Sequence, residues 1–180
     1  MEQKIIYPDF YTWQKKAITL KSGLVFAPED FYIVKRQEYL ITDDGCVGSE
    51  TSRKDFFTGN EALELEEKIL KPAGWRLPTK DDWQTTLNEL KTLRRLRRKL
   101  KFTLEGYVDP DFMDEYNQNL SLSSAFGQGY SGYWWSSTQY CYPDIMHCIA
   151  LLERLDPIMH INGCDFGYSI RCVARQYAPF

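Results

Sequence analysis

Two histidines and five cysteines set the limits of the chemistry this chain can attempt. His147 sits beside Cys148, and His160 lies shortly before Cys164. A Cys–His nucleophile or a His–Cys zinc site are therefore the arrangements to weigh. Neither has a local signature. No CxxC pair occurs, and no third group that would orient an imidazole is visible. The residues therefore predict no catalytic group and no metal, with both histidines as ordinary strand residues. Cys46, Cys141, Cys148, Cys164 and Cys172 are odd in number and read as reduced thiols that pack like small apolar side chains.

Charge clusters come next. Seven cations crowd Lys91, Arg94, Arg95, Arg97, Arg98, Lys99 and Lys101. Such a run on a helix could track phosphates. The net charge is −3, however, and no nucleic-acid-binding motif accompanies the run. Leucines between the cations keep one face buried, and the preceding helix carries Glu61, Glu64, Glu66 and Glu67. A solvated face opposite an acidic helix accounts for the run, so no nucleic-acid partner is expected. Asp109, Asp111, Asp114 and Glu115 form an acidic cluster. The EF-hand pattern fails there, because its fifth and sixth positions hold Met113 and Asp114. A surface loop is expected, with a weak calcium site as the alternative.

The elements that must position these residues follow from composition and period. The 180 residues suffice for one domain, and 15% aromatic content supplies more burial than a disordered chain carries. No run approaches the ~18 apolar residues of a membrane span. The first twenty residues lack the apolar core of a secretory signal, so a cytoplasmic product is expected, virion-associated or surface-exposed only by another route. The first forty residues read as short strands, including 17–25 with a turn at Ser22–Gly23, and 31–41. A turn at Asp43-Asp44-Gly45 leads into a loop over 46–58. Asn60 is placed to cap a helix over 61–70, stopped by Pro72 and Gly74. Thr79 and Asp82 form a capping box that opens a second helix from about Lys80 to the high nineties, striped by Trp83, Leu87, Leu90, Leu93 and Leu96. Leu100, Phe102 and Leu104 then alternate as a strand. Residues 109–128 are polar and loop-like. The last third holds strand candidates at 133–137, 144–152, 157–161 and 168–174. The order predicts an α+β fold, two helices packed on mixed, mainly antiparallel β-structure. It is read as a single domain over 1–180, with 1–60 its β-rich N-terminal part. The strand over 144–152 is apolar on both faces. Burial on both sides is the default, and an exposed contact face is the alternative.

Four motifs carry a resemblance: GWRLPTKDDW (74–83), LKFTLEGY (100–107), GYSGYWWSST (129–138) and GYSIRCV (167–173). In this order they resemble the fibrobacterial major paralogous domain family and the variable proteins of diversity-generating retroelements of gut bacteria and their phages. The resemblance implies a C-type-lectin-like fold over 61–180, related to that of formylglycine-generating enzymes. It implies a non-enzymatic recognition protein, such as a phage receptor-binding protein or surface adhesin, whose partner is a cell-surface protein or glycan. Met146, Cys148 and Ala150 would face the core. Tyr142, Asp144, His147 and Ile149 would face out, joined by His160, Asn162, Asp165 and Phe166 as the ligand-binding set. The calcium-lectin signatures are absent, so no cofactor is carried over. Arg171 would be a buried cation needing a carboxylate that the sequence does not identify. The alternatives are a formylglycine-type enzyme using Cys141 and Cys148, or a structural virion or surface subunit.

Overall fold

A computed structural model describes residues 3–40, 47–110 and 125–174. In chain order the elements are β1 (Gln3–Ile6), α1 (Phe10–Lys16), β2 (Ile18–Thr19), β3 (Val25–Phe26), β4 (Ile33–Leu40), β5 (Val47–Lys54), α2 (Gly59–Leu65), β6 (Trp75–Arg76), α3 (Lys80–Leu90), α4 (Leu93–Leu100), β7 (Ser131–Gln139), β8 (Ile145–Leu152), β9 (Ile158–Gly163) and β10 (Val173–Ala174). A π-helical turn, Glu66–Leu70, continues α2. The described strands form three antiparallel sheets, ordered β1-β4-β5, β2-β3-β10-β6 and β7-β8-β9. The class is α+β, as the order of elements predicts.

Capping chemistry sets the helix boundaries. Thr58, rather than Asn60, starts α2: its Oγ1 accepts from Glu61 N–H, and Glu61 Oε2 accepts from Thr58 N–H at 2.9 Å. This reciprocal box satisfies two orphan donors where a lone Asn would satisfy one. The box at Thr79 and Asp82 forms as expected, at 3.1 and 2.8 Å. The second helix is not continuous. Lys91 adopts φ 57°, and Thr92 caps a separate α4 by accepting from Arg95 N–H. A threonine inside the leucine stripe thus ends one helix and begins another.

Three further differences have local causes. Asp9 Oδ1 accepts from Tyr11 N–H and caps α1, within a stretch expected to be strand. The expected loop over 46–58 is largely β5, held in register with β4 from Ile33↔Lys54 to Leu40↔Val47. Its sequence, VGSETSRK, has no apolar alternation to announce it. Residues 101–105 bury Phe102 and Leu104 alternately but form no strand, and Leu100 ends α4. The turn at 43–45 and the acidic Asp111, Asp114 and Glu115 lie outside the described residues.

The sheet β7-β8-β9 carries a core on each face. Antiparallel register places Trp135 opposite Cys148 and Trp134 opposite Ile149. On one face Trp135, Met146 and Cys148 pack with Trp13, Phe57, Trp75 and Tyr168. On the other, Trp134, Ile149 and Leu151 pack with Trp83, Leu96, Leu100 and Phe102. Gly132 permits this crowding: a Cβ there would come within 2.5 Å of the Trp134 ring and 3.1 Å of Thr103 O. Arg171 finds its carboxylate in Asp30, Nε to Oδ1 at 2.6 Å, a close ion pair set off the hydrogen-bond axis. Trp134 Nε1 donates to the other oxygen of Asp30 at 3.0 Å, and Arg171 Nη1 donates to Ala27 O at 3.0 Å.

Candidate functional site

The two-sided burial of β8 decides which expected contact residues reach solvent. Met146, Cys148 and Ala150 are buried in the way the resemblance implies. Ile149 and His147 require correction. Ile149 is 0% exposed and belongs to the second core, because α3 packs across that face of β8 and β9. His147 is 8% exposed, with the Tyr140 ring edge-on at 5.6 Å. Burial lowers its pKa, and the nearby Lys80 charge lowers it further. The default burial of both strand faces prevails over a contact face.

The other six expected residues fall into two groups. Tyr142 and Asp144 are exposed in the turn between β7 and β8. Cys164 N–H donates to Asp144 O at 2.8 Å, which ties that turn to the one after β9, where Asp165 is exposed. His160 is exposed on β9, opposite Cys148. Asn162 and Phe166 are half-buried. Asn162 Nδ2 donates to the Tyr168 hydroxyl at 2.5 Å, and its Oδ1 accepts from Gly163 N–H at 3.0 Å.

Around this second group lies an aromatic cluster whose members, Tyr133 among them, read from the sequence as scaffold rather than as part of a site. Tyr107 meets Tyr133 edge-on at 5.2 Å, and Tyr133 stacks on Tyr168 at 4.9 Å. Phe166 lies 6.3 Å from Tyr107 and 6.0 Å from Tyr168. Tyr133 opposes Ala150, which opposes Ile158, so Tyr133, Ile158 and His160 share one sheet face. Tyr107 and Tyr133 are half-buried, and Ile158 is exposed. The available signal was that each tyrosine follows a glycine: Gly106, Gly132 and Gly167. At Gly106 the backbone has φ +86°, and a Cβ would sit 2.1 Å from Phe126 O.

The arrangement offers aromatic rings, an imidazole and an amide on a rigid sheet. Its thiols are poor nucleophiles. Burial pushes the Cys148 thiol up to about 12, and burial raises Cys164 and Cys172 as well. Of the expected enzyme pair, Cys141 is exposed in a turn while Cys148 is enclosed in the core. Among the described residues no group of three His, Cys, Asp or Glu side chains is arranged to hold a metal ion. No described helix is long and apolar enough to cross a membrane. Comparison with protein-family models, with curated proteins and with solved structures finds no match to this chain.

Proposed function

We propose that this chain is a non-enzymatic recognition protein on a C-type-lectin-like scaffold, of the retroelement variable-protein type. It takes a protein or glycan on a cell surface as its ligand. The observation that carries this reading is the mixed surface of Tyr107, Tyr133, His160, Asn162 and Phe166 on the face of β7-β8-β9, rimmed by Tyr142, Asp144 and Asp165. Rings already fixed by their neighbours lose little entropy on contact, so they act as efficient anchors. The scaffold reading is supported by β10, near the end of the described chain, pairing with β3 near its beginning and with β6. The elevated thiols of Cys148, Cys164 and Cys172 favour recognition over cysteine chemistry.

The test is a triple variant, Tyr142→Ala, His160→Ala and Phe166→Ala, compared with the unaltered chain by flow cytometry of the labelled protein on a panel of gut bacterial cells. The unaltered protein is expected to stain a subset of strains. The variant, folded by circular dichroism, is expected to lose that staining. Staining that survives all three substitutions, or no staining of any strain, overturns the proposal.

A further inference from the structure

The basic run does not have the neighbour that its sequence suggests. The glutamates before it are engaged elsewhere: Glu61 pairs with Lys54 at 2.6 Å, Glu64 with Lys68 at 2.5 Å, and Glu67 with Lys71. Glu66 is itself buried. Among the described residues none of the seven cations from Lys91 to Lys101 lies in an ion pair. On α4, Leu96 and Leu100 are buried, while Arg94, Arg95, Arg97, Arg98 and Lys99 are exposed. This leaves a predominantly positive face, without ion pairs among the described residues, on a protein of negative net charge.

That face has a concave part. Arg94, Arg97, Arg98 and Lys101 line a cleft of about 650 Å³ over a floor of Leu93 and Phe102, with Glu153 at the start of the β8–β9 turn on its wall. Glu153 N–H donates to Tyr130 O at 2.8 Å, which fixes the turn beside an exposed tyrosine. Arg154 and Leu155 follow, both exposed. Guanidinium forks match planar or tetrahedral oxyanions, and a carboxylate accepts hydroxyl protons. A ligand carrying oxyanions and hydroxyls on one framework satisfies both walls. An anionic membrane fits less well, because α4 buries Leu96 and Leu100 and half-buries Leu93, which leaves no wide apolar face to insert. Nucleic acid fits less well, because its phosphates would meet Glu153.

We propose that the cleft between α4 and the β8–β9 turn binds an acidic polysaccharide, with sulfate or uronate groups on Arg94, Arg97, Arg98 and Lys101 and sugar hydroxyls on Glu153. The site lies on the side of the β7-β8-β9 sheet opposite the aromatic surface, and it does not depend on that surface's role. The sheet separates Trp134, Phe102 and α4 from Trp135, Tyr168 and Phe166.

The experiment titrates the full chain into a fluorescent heparin fragment, dextran sulfate and polygalacturonate, which separate sulfate from carboxylate recognition. A DNA duplex of matched charge and vesicles of phosphatidylglycerol in phosphatidylcholine run alongside. At least one polysaccharide is expected to bind more tightly than DNA or vesicles. Arg94→Glu with Arg98→Glu is expected to weaken that binding about tenfold or more. Lys15→Glu with Lys16→Glu on α1, the same change in net charge, is expected to leave it unchanged. Glu153→Gln is expected to weaken it. The proposal is overturned if no polysaccharide binds, if DNA or vesicles bind as tightly, if the α1 control weakens binding equally, or if Glu153→Gln leaves binding unchanged or tighter. The last outcome would mean that charge alone holds the polymer.

Discussion

Arg171 is 1% exposed, and Asp30 supplies the carboxylate that a buried guanidinium needs. Burial pushes the Asp30 carboxyl upward, while the Arg171 charge and the Trp134 hydrogen bond pull it back. Removing one partner strands the other. Asp30→Asn is therefore expected to cost about 3–5 kcal/mol in urea unfolding, whereas Arg171→Met combined with Asp30→Leu should recover much of that loss. Equal losses for single and double variants would show that the residues matter through packing alone. The need for a partner was legible in an arginine within an apolar strand sequence. The partner was not, because Asp30 comes from a loop far earlier in the chain and no local pattern joins them. His147 gives a second test at this scale. Its pKa is lowered in the folded state by burial and then by Lys80. The unfolded chain therefore binds the proton first. The stability this produces is present above the ordinary histidine value, about 6.5, and is lost as pH falls from there through the folded pKa. Unfolding free energies measured across roughly pH 5–8 should decline toward acid, and His147→Gln should flatten that decline.

The helices show how short signatures outrank long periodicities. The leucine stripe from Trp83 to Leu96 continues through Lys91 and Thr92, yet the backbone breaks there because Thr92 caps a new start. At Thr79 the box is reinforced: Arg76 Nη1 donates to Asp82 Oδ2 at 2.5 Å. Burial raises the Asp82 carboxyl, but the Arg76 and Thr79 hydrogen bonds outweigh it and hold the pKa below the ordinary value. The box therefore stabilises the fold above the ordinary aspartate pKa, and that contribution is lost as pH falls through the depressed value. Thr79→Ala should cost about 1 kcal/mol. Asp82→Asn should remove part of the acid sensitivity below about pH 4, read from chemical denaturation at several pH values. An Asp82→Asn profile that matches the unaltered chain would separate the box from acid unfolding. β5 shows the opposite case. Its partner β4 was legible in FYIVKRQEYLI, but a polar strand paired at the edge of a sheet leaves no alternation to read.

At the scale of the molecule, one sheet divides two cores, and β8 is the strand that both require. Aromatic and aliphatic layers lie on each side of it, so Met146 and Ile149, three residues apart, serve different cores. Apolarity on both faces announced this arrangement in the sequence, while the family resemblance turned one face outward. What decided between them was α3, whose packing against β8 and β9 depends on where the Thr79 box starts it. The exposed Tyr142 turn, at 63%, lies beyond this double cover. Met146→Ala and Ile149→Ala are therefore each expected to cost about 2–5 kcal/mol, whereas Tyr142→Ala should stay within about 0.5 kcal/mol. Denaturant unfolding followed separately by tryptophan fluorescence and far-ultraviolet circular dichroism makes the comparison. Because the two cores share β8, the transitions seen by the two probes should stay coincident in all three variants. An Ile149→Ala protein as stable as the unaltered chain would return that face of the strand to solvent and restore it to the contact surface. Separate transitions would mean that the cores fold independently of the strand between them.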